Sequence, residues 1–165
     1  MKMKPLHLWS VFVVSLVLAT SISCSKGSSP SSPTSPSSPT PDLPKASGSV
    51  QVTINPNPVP FSGVPVTDDP GCATLKNTWY YDQVFTETAG TAVTITGRVD
   101  YFDGWSVNII NGIAIDVPAK GSMTRKARWC SGNATSHTAQ SSFSGVDSHG
   151  SQVVINTPVI KLMAP

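Results

Sequence analysis

The sequence predicts an antiparallel β-sandwich of seven or eight short strands, and three observations carry that prediction. Hydrophobic residues from Gly48 onward alternate with period two, turn signals recur every 8–12 residues, and no stretch of ten residues carries a helical apolar stripe. The first strand is Ser49–Asn55, with Val50, Val52 and Ile54 on one face and Gln51 and Thr53 on the other. Pro56 to Gly71 holds five prolines and two glycines, and is expected as a loop or an edge strand that cannot donate a full ladder. Strands follow at Thr78–Glu87, Ala92–Phe102, Trp105–Ile110, Ile113–Val117, Ser122–Cys130, Ser136–Gly145 and Gln152–Leu162.

Turns are expected at Ala89-Gly90, Asp103-Gly104, Asn111-Gly112, Ala119-Lys120-Gly121, Ser131-Gly132-Asn133 and His149-Gly150. Asn111-Gly112 between apolar runs is a strong short-range hairpin signal. The expected inward set is Val50, Val52, Ile54, Trp79, Tyr81, Val93, Ile95, Val99, Ile115, Val117, Ala127, Trp129, Phe143, Val153 and Ile155. Tyr80 and Tyr81 cannot share a face, and Gln83 interrupts the Tyr81 face.

The 165 residues divide into three parts: residues 1–23, 24–47 and 48–165. Two lysines within Met1–Lys4, an apolar run from Leu6 to Ala19 and a small polar exit (Thr20–Cys24) make a secretory signal. The run is too short for a bilayer span, which needs about 20 apolar residues. Residues 25–47 are dominated by Ser, Pro and Thr with Leu43 as their only large apolar side chain, the composition of a disordered spacer. The formal charge of +2 owes much to Lys2, Lys4, Lys26 and Lys45, all ahead of the domain. The domain itself is near neutral, which offers nucleic acid no electrostatic footprint.

Ser21-Ile22-Ser23-Cys24 resembles the lipobox of bacterial lipoproteins. The resemblance implies that Cys24 is acylated and becomes the mature N-terminus, with the membrane as a partner through that lipid. Ser21 stands where the family prefers Leu, so ordinary cleavage after Ser21, with Ala19 at the −3 position, stays open. The count of three cysteines bears on the choice. Cysteines of exported proteins pair, and lipidation of Cys24 would leave Cys72 and Cys130 as an even pair. That bridge is expected at the rim of the core, with Trp129 inside it. Ser25 after the cysteine favours the outer membrane or cell surface of a bacterial envelope.

Ile113 to Trp129 and Phe143 to Leu162 resemble hairpins of bacterial immunoglobulin-like or fibronectin-III-like domains. The resemblance implies an immunoglobulin-like sandwich serving as a binding, spacing or adhesive module, with another envelope protein or a glycan as partner. No cofactor is implied.

Candidate chemistry is sparse. Asp147-Ser148-His149 has the residue types of a hydrolase triad, but neighbours on one turn cannot adopt triad geometry. Asp100-x-x-Asp103-Gly104 and Asp68-Asp69 are too poor in oxygens for calcium, and Cys130 with His137 is no zinc set. Glu87 is the only glutamate, so a catalytic carboxylate pair would need two aspartates brought together by folding. The domain is therefore expected to be non-catalytic and metal-free. Arg125, Lys126 and Arg128 form a basic cluster, with Arg125 on the Ala127 face; it is a solvated face or an anion contact. Tyr80, Phe102 and Trp105 are the candidate ligand surface, an aromatic platform for a carbohydrate or small molecule.

Overall fold

A computed structural model describes residues 40–165. The expected signal, Cys24 and the tether up to residue 39 lie outside the described residues. Eight strands follow one another: β1 (Val50–Asn55), β2 (Asn77–Glu87), β3 (Val93–Phe102), β4 (Trp105–Val117), β5 (Ser122–Ser131), β6 (His137–Asp147), β7 (Gln152–Asn156) and β8 (Ile160–Leu162). They form two antiparallel sheets, ordered β1-β2-β5 and β4-β3-β6-β7, with β8 beside β6. No helix occurs among the described residues.

The inner faces meet in two apolar clusters. In one, Val52 and Phe85 pack on Val93, Ile95, Val117, Phe143, Val153 and Ile155; the Phe85 and Phe143 rings meet edge-on at 5.0 Å. In the other, Trp79, Tyr81 and Ala127 face Ala139, Ile160 and Leu162. Trp79 is fully buried, and its indole N–H donates to the Met163 carbonyl at 2.8 Å. The proline-rich segment is a loop, yet it fills this second core with Val59. Val59 bridges Leu162, donating to the Lys161 carbonyl and accepting from the Met163 amide. Ahead of Gly48, Ser47 already pairs with Val154 and the Pro44 carbonyl accepts from Asn156, so the folded body includes these residues.

Most of the expected inward set is inward, with instructive exceptions. Trp105–Ile110 and Ile113–Val117 are one strand, and Asn111-Gly112 lies within it. There β4 carries extra residues between the Gly97–Asn111 and Ile95–Ile115 pairs, and Gly112 takes φ +73°. The dipeptide that signals a hairpin makes a bulge instead. The real β3–β4 hairpin is at Asp103-Gly104, both with positive φ, the conformation of a type I′ turn. The expected Gln152–Leu162 strand splits around Pro158 into β7 and β8. Phe85 joins the core because Gln83 does not end the inward run: Trp79, Tyr81, Gln83, Phe85 and Glu87 are all buried.

Glu87 has a structural role. Ala89 N–H donates to one carboxylate oxygen, as does the Ser49 hydroxyl; Gly90, Thr91 and Lys120 N–H donate to the other. This cage ties β1, the β2–β3 turn and the β4–β5 turn together. The Ser49 hydroxyl and the backbone donors hold its pKa near 2, against an ordinary 4.5. The folded pKa is depressed, so the stabilisation is complete above about pH 4.5 and is lost as pH falls through about 2. Glu87→Gln would turn an amide donor toward backbone donors. It is expected to lower the melting temperature at pH 7 and to flatten its fall between pH 4.5 and 2. Thermal melts across that range check this; equal acid sensitivity in both proteins would contradict it.

Candidate functional site

The site begins with a bulge in β3. Against β6, Ile95 pairs with Gly145 but Gly97 pairs with Ser144, leaving Thr96 as an extra residue. Because side chains alternate, one extra residue exchanges the faces of everything after it. Val93 and Ile95 point inward before the bulge; after it Arg98, Asp100 and Phe102 share the inner face with their partners Phe143, Ser141 and Ala139. Val99, expected in the core, lies on the opposite face and in neither core cluster. From the facing sheet, Tyr81 and Gln83 of β2 and Arg125 of β5 point inward. The result is a polar layer between the two apolar clusters.

Here the free edges of the sheets, β4 and β5, leave a cleft of about 540 Å³. Gln83, Arg98, Asp100, Arg125 and Ser141 supply its inner polar lining, Asp69 and Arg128 also line it, and Tyr81, Phe102 and Trp129 are its aromatic walls. Val107, Asn108 and Ile110 of β4 line it, and so do Cys72 and Cys130. Cys72 and Cys130 form a disulfide with Cα atoms 5.7 Å apart, as the cysteine count led one to expect.

Its electrostatics are unbalanced. Asp100 accepts from the Ser141 hydroxyl at 2.7 Å, and Arg98 Nε lies 3.0 Å from its other oxygen. That contact is off the N–H direction, so Arg98 Nε makes no hydrogen bond. Arg125 reaches only the Gln83 side-chain carbonyl, at 3.4 Å, and has no carboxylate within 4.0 Å among the described residues. Burial, then the neighbouring Arg98 cation, push the Arg125 pKa below its ordinary value. Tyr81 accepts from the Trp129 indole N–H at 3.0 Å. Burial raises its pKa to about 12 although that hydrogen bond pulls the other way, so the phenol stays neutral and keeps a proton to donate.

The other expected site residues are scattered. Tyr80 is on the outer face of the three-stranded sheet, its hydroxyl near the Val64 and Pro65 carbonyls, beside a groove of about 220 Å³ that also contacts Pro56, Asp82 and Lys126. Phe102 packs inward on Trp129 and His137. Trp105 stands 69% exposed at the start of β4. The three do not share a face, because the β3 bulge turns Phe102 inward while Tyr80 belongs to the other sheet. Trp129 points inward as expected but is half-buried at the cleft. Lys126 and Arg128 alternate to the face opposite Arg125 and pair with Asp82 and Asp68, although Arg128 also lines the cleft. Asp147 caps its own turn through the His149 and Ser151 amides.

Sequence reasoning missed Arg98 and Asp100 as cleft residues, since strict alternation places both outside. It also missed the Asp103–His137 pair, at 2.6 Å, in which Asp103 also accepts from the Thr138 amide. Thr135 Oγ1 lies 3.5 Å from the other ring nitrogen, a triad-like line, but neither cleft described above reaches it. The imidazole is wedged between Trp79 and Phe102, and the pair fastens the β3–β4 turn to β6. No group of three or more His, Cys, Asp or Glu that could hold a metal occurs among the described residues.

No protein-family model matches the chain, and no curated protein matches it. Solved structures share its fold. A putative ApaA protein from Bordetella pertussis superimposes with a TM-score of 0.55 at 12% identity, over 74% of this chain and 98% of that one. A Northeast Structural Genomics Consortium target, SoR45, gives 0.54 at 10% identity, over 71% and 88%. At such identities the likeness concerns the fold alone.

Proposed function

We propose that this chain is an exported, lipid-anchored binding module of a bacterial envelope, an immunoglobulin-like sandwich that takes a small ligand between its sheets without catalysis. The observation that carries the reading is the cleft between β4 and β5. Its volume falls within the roughly 300–1,000 Å³ of small-molecule sites, and a few polar groups converge inside aromatic walls. The strand order supports the immunoglobulin-like assignment. A first sheet β1-β2-β5 facing β4-β3-β6-β7 corresponds to strands A-B-E facing C′-C-F-G of such sandwiches. A second reading, glycan binding at the surface, draws on Tyr80 and its outer groove alone.

A thermal-shift screen of small molecules on the mature protein in detergent tests the binding reading. Ligands are expected to raise the melting temperature of the wild type and not of Ala127→Trp, which places an indole in the cleft. Hits equally active on both, or abolished by Tyr80→Ala instead, would move the site to the outer groove. The anchor has its own check. Cells fed radiolabelled palmitate are expected to label the wild type and not Cys24→Ala; a mature protein beginning at Ile22 would contradict the lipid anchor.

A further inference from the structure

We propose that the cleft binds a small organic monocarboxylate, its carboxylate on the Arg125 guanidinium and its apolar body against Tyr81, Phe102 and Trp129. The inference rests on the binding reading above and names the class of ligand.

Three features of the cleft carry it. The first is charge. Arg98 and Asp100 offset each other, Arg128 pairs with Asp68, and the exposed Asp69 accepts from the Gly71 amide of its own loop, which leaves Arg125 as the one cation of the lining with no carboxylate within 4.0 Å among the described residues. A half-buried guanidinium in that condition is costly, and one negative charge removes the cost.

The second is the excess of donors. Tyr81 uses its oxygen to accept from Trp129, and its own proton enters no hydrogen bond among the described residues. The carboxylate of Asp100 is already shared by Ser141 and Arg98. The Arg125 guanidinium and the Tyr81 hydroxyl both have N–H or O–H donors to spare, and the group complementary to them is acceptor-only. A carboxylate is such a group, and its two oxygens match the guanidinium fork.

The third is the wall. Phe102 and Trp129 meet at 5.2 Å with their rings tilted by 39°, beside Tyr81, so a ligand that reaches Arg125 lies along aromatic surface. A fully solvated anion such as phosphate has nothing to place there, and its second charge would meet Asp100.

Isothermal titration of the full mature protein in detergent, at pH 7, decides the matter with phenylacetate, phenylacetamide and inorganic phosphate as probes. Phenylacetate is expected to bind at least tenfold more tightly than either of the others. Arg125→Met should weaken phenylacetate at least tenfold and leave phenylacetamide unchanged, while Lys126→Met should alter neither. Should Arg125→Met melt early, Arg125→Gln supplies the same comparison with a polar side chain. Equal affinity for the acid and its amide would overturn this inference and leave the binding cleft standing. Phosphate binding as tightly as phenylacetate would also overturn it, since the site would then ignore the apolar body. If neither phenylacetate nor its amide binds, and the screen above finds no ligand that Ala127→Trp blocks, the cleft reading fails as well.

Discussion

A Cys72→Ala, Cys130→Ala double variant is expected to lose roughly 2–5 kcal/mol of stability, with its β-rich far-ultraviolet spectrum intact at low temperature. The bridge joins residues 58 apart in sequence, from the loop ahead of β2 to the end of β5. In the chain-entropy account it acts mainly on the unfolded state, by forbidding open conformations of that long loop. Neither apolar cluster contains the bridge, so both survive its removal. Its cysteines also line the cleft, beside Trp129. Ligand affinity should therefore fall with stability, because the loop from Asp69 to Leu75 loses its tie to β5. Equilibrium urea unfolding measures the first effect. A loss below about 1 kcal/mol would mean that the loop hydrogen bonds hold this region unaided.

Gly145→Ala is expected to be more disruptive than its single methyl group suggests. A Cβ at this position would run into the Thr94 carbonyl and come within 2.8 Å of Ile95 Cα. Both obstacles are backbone, so no side-chain rotation relieves the clash. A cost of about 3 kcal/mol or more, at or above the usual upper end for overpacking, is expected. Gly145 pairs with Ile95 at the edge of the β3 bulge, and that bulge sets which residues face the cleft. The variant should therefore lose ligand binding even where it stays folded. Gly112→Asn is the contrast. Gly112 has φ +73° but open space around it, and Asn tolerates that backbone region, so a change under about 1 kcal/mol is expected. Similar losses in the two variants would deny the bulge its special role.

The strands were legible because alternation survives in the sequence. Val50, Val52 and Ile54, or Trp79 and Tyr81, announce a half-buried strand without help from the rest of the chain. The cleft was not legible, for a specific physical reason. Reading Val99 as inward extends the parity of Val93 and Ile95, and only the register against β6 reveals that Thr96 resets it. Local chemistry misled at Asn111-Gly112 as well, where sheet pairing across Gly97 and Ile95 overrode the turn preference of the dipeptide. Arg125 was placed correctly by its alternation with Ala127, though its lack of an ion partner is a property of the tertiary fold. Glu87 looked idle as the only glutamate, because its partners are backbone amides, which no side-chain pattern reports.

The most direct test of the central claim, that the space between β4 and β5 is a binding site, is a crystal structure after soaking a library of small organic fragments. Bound fragments are expected to concentrate against Arg125, Tyr81 and Trp129, with acids over-represented among them. Fragments confined to the groove beside Tyr80, with only water between the sheets, would contradict it.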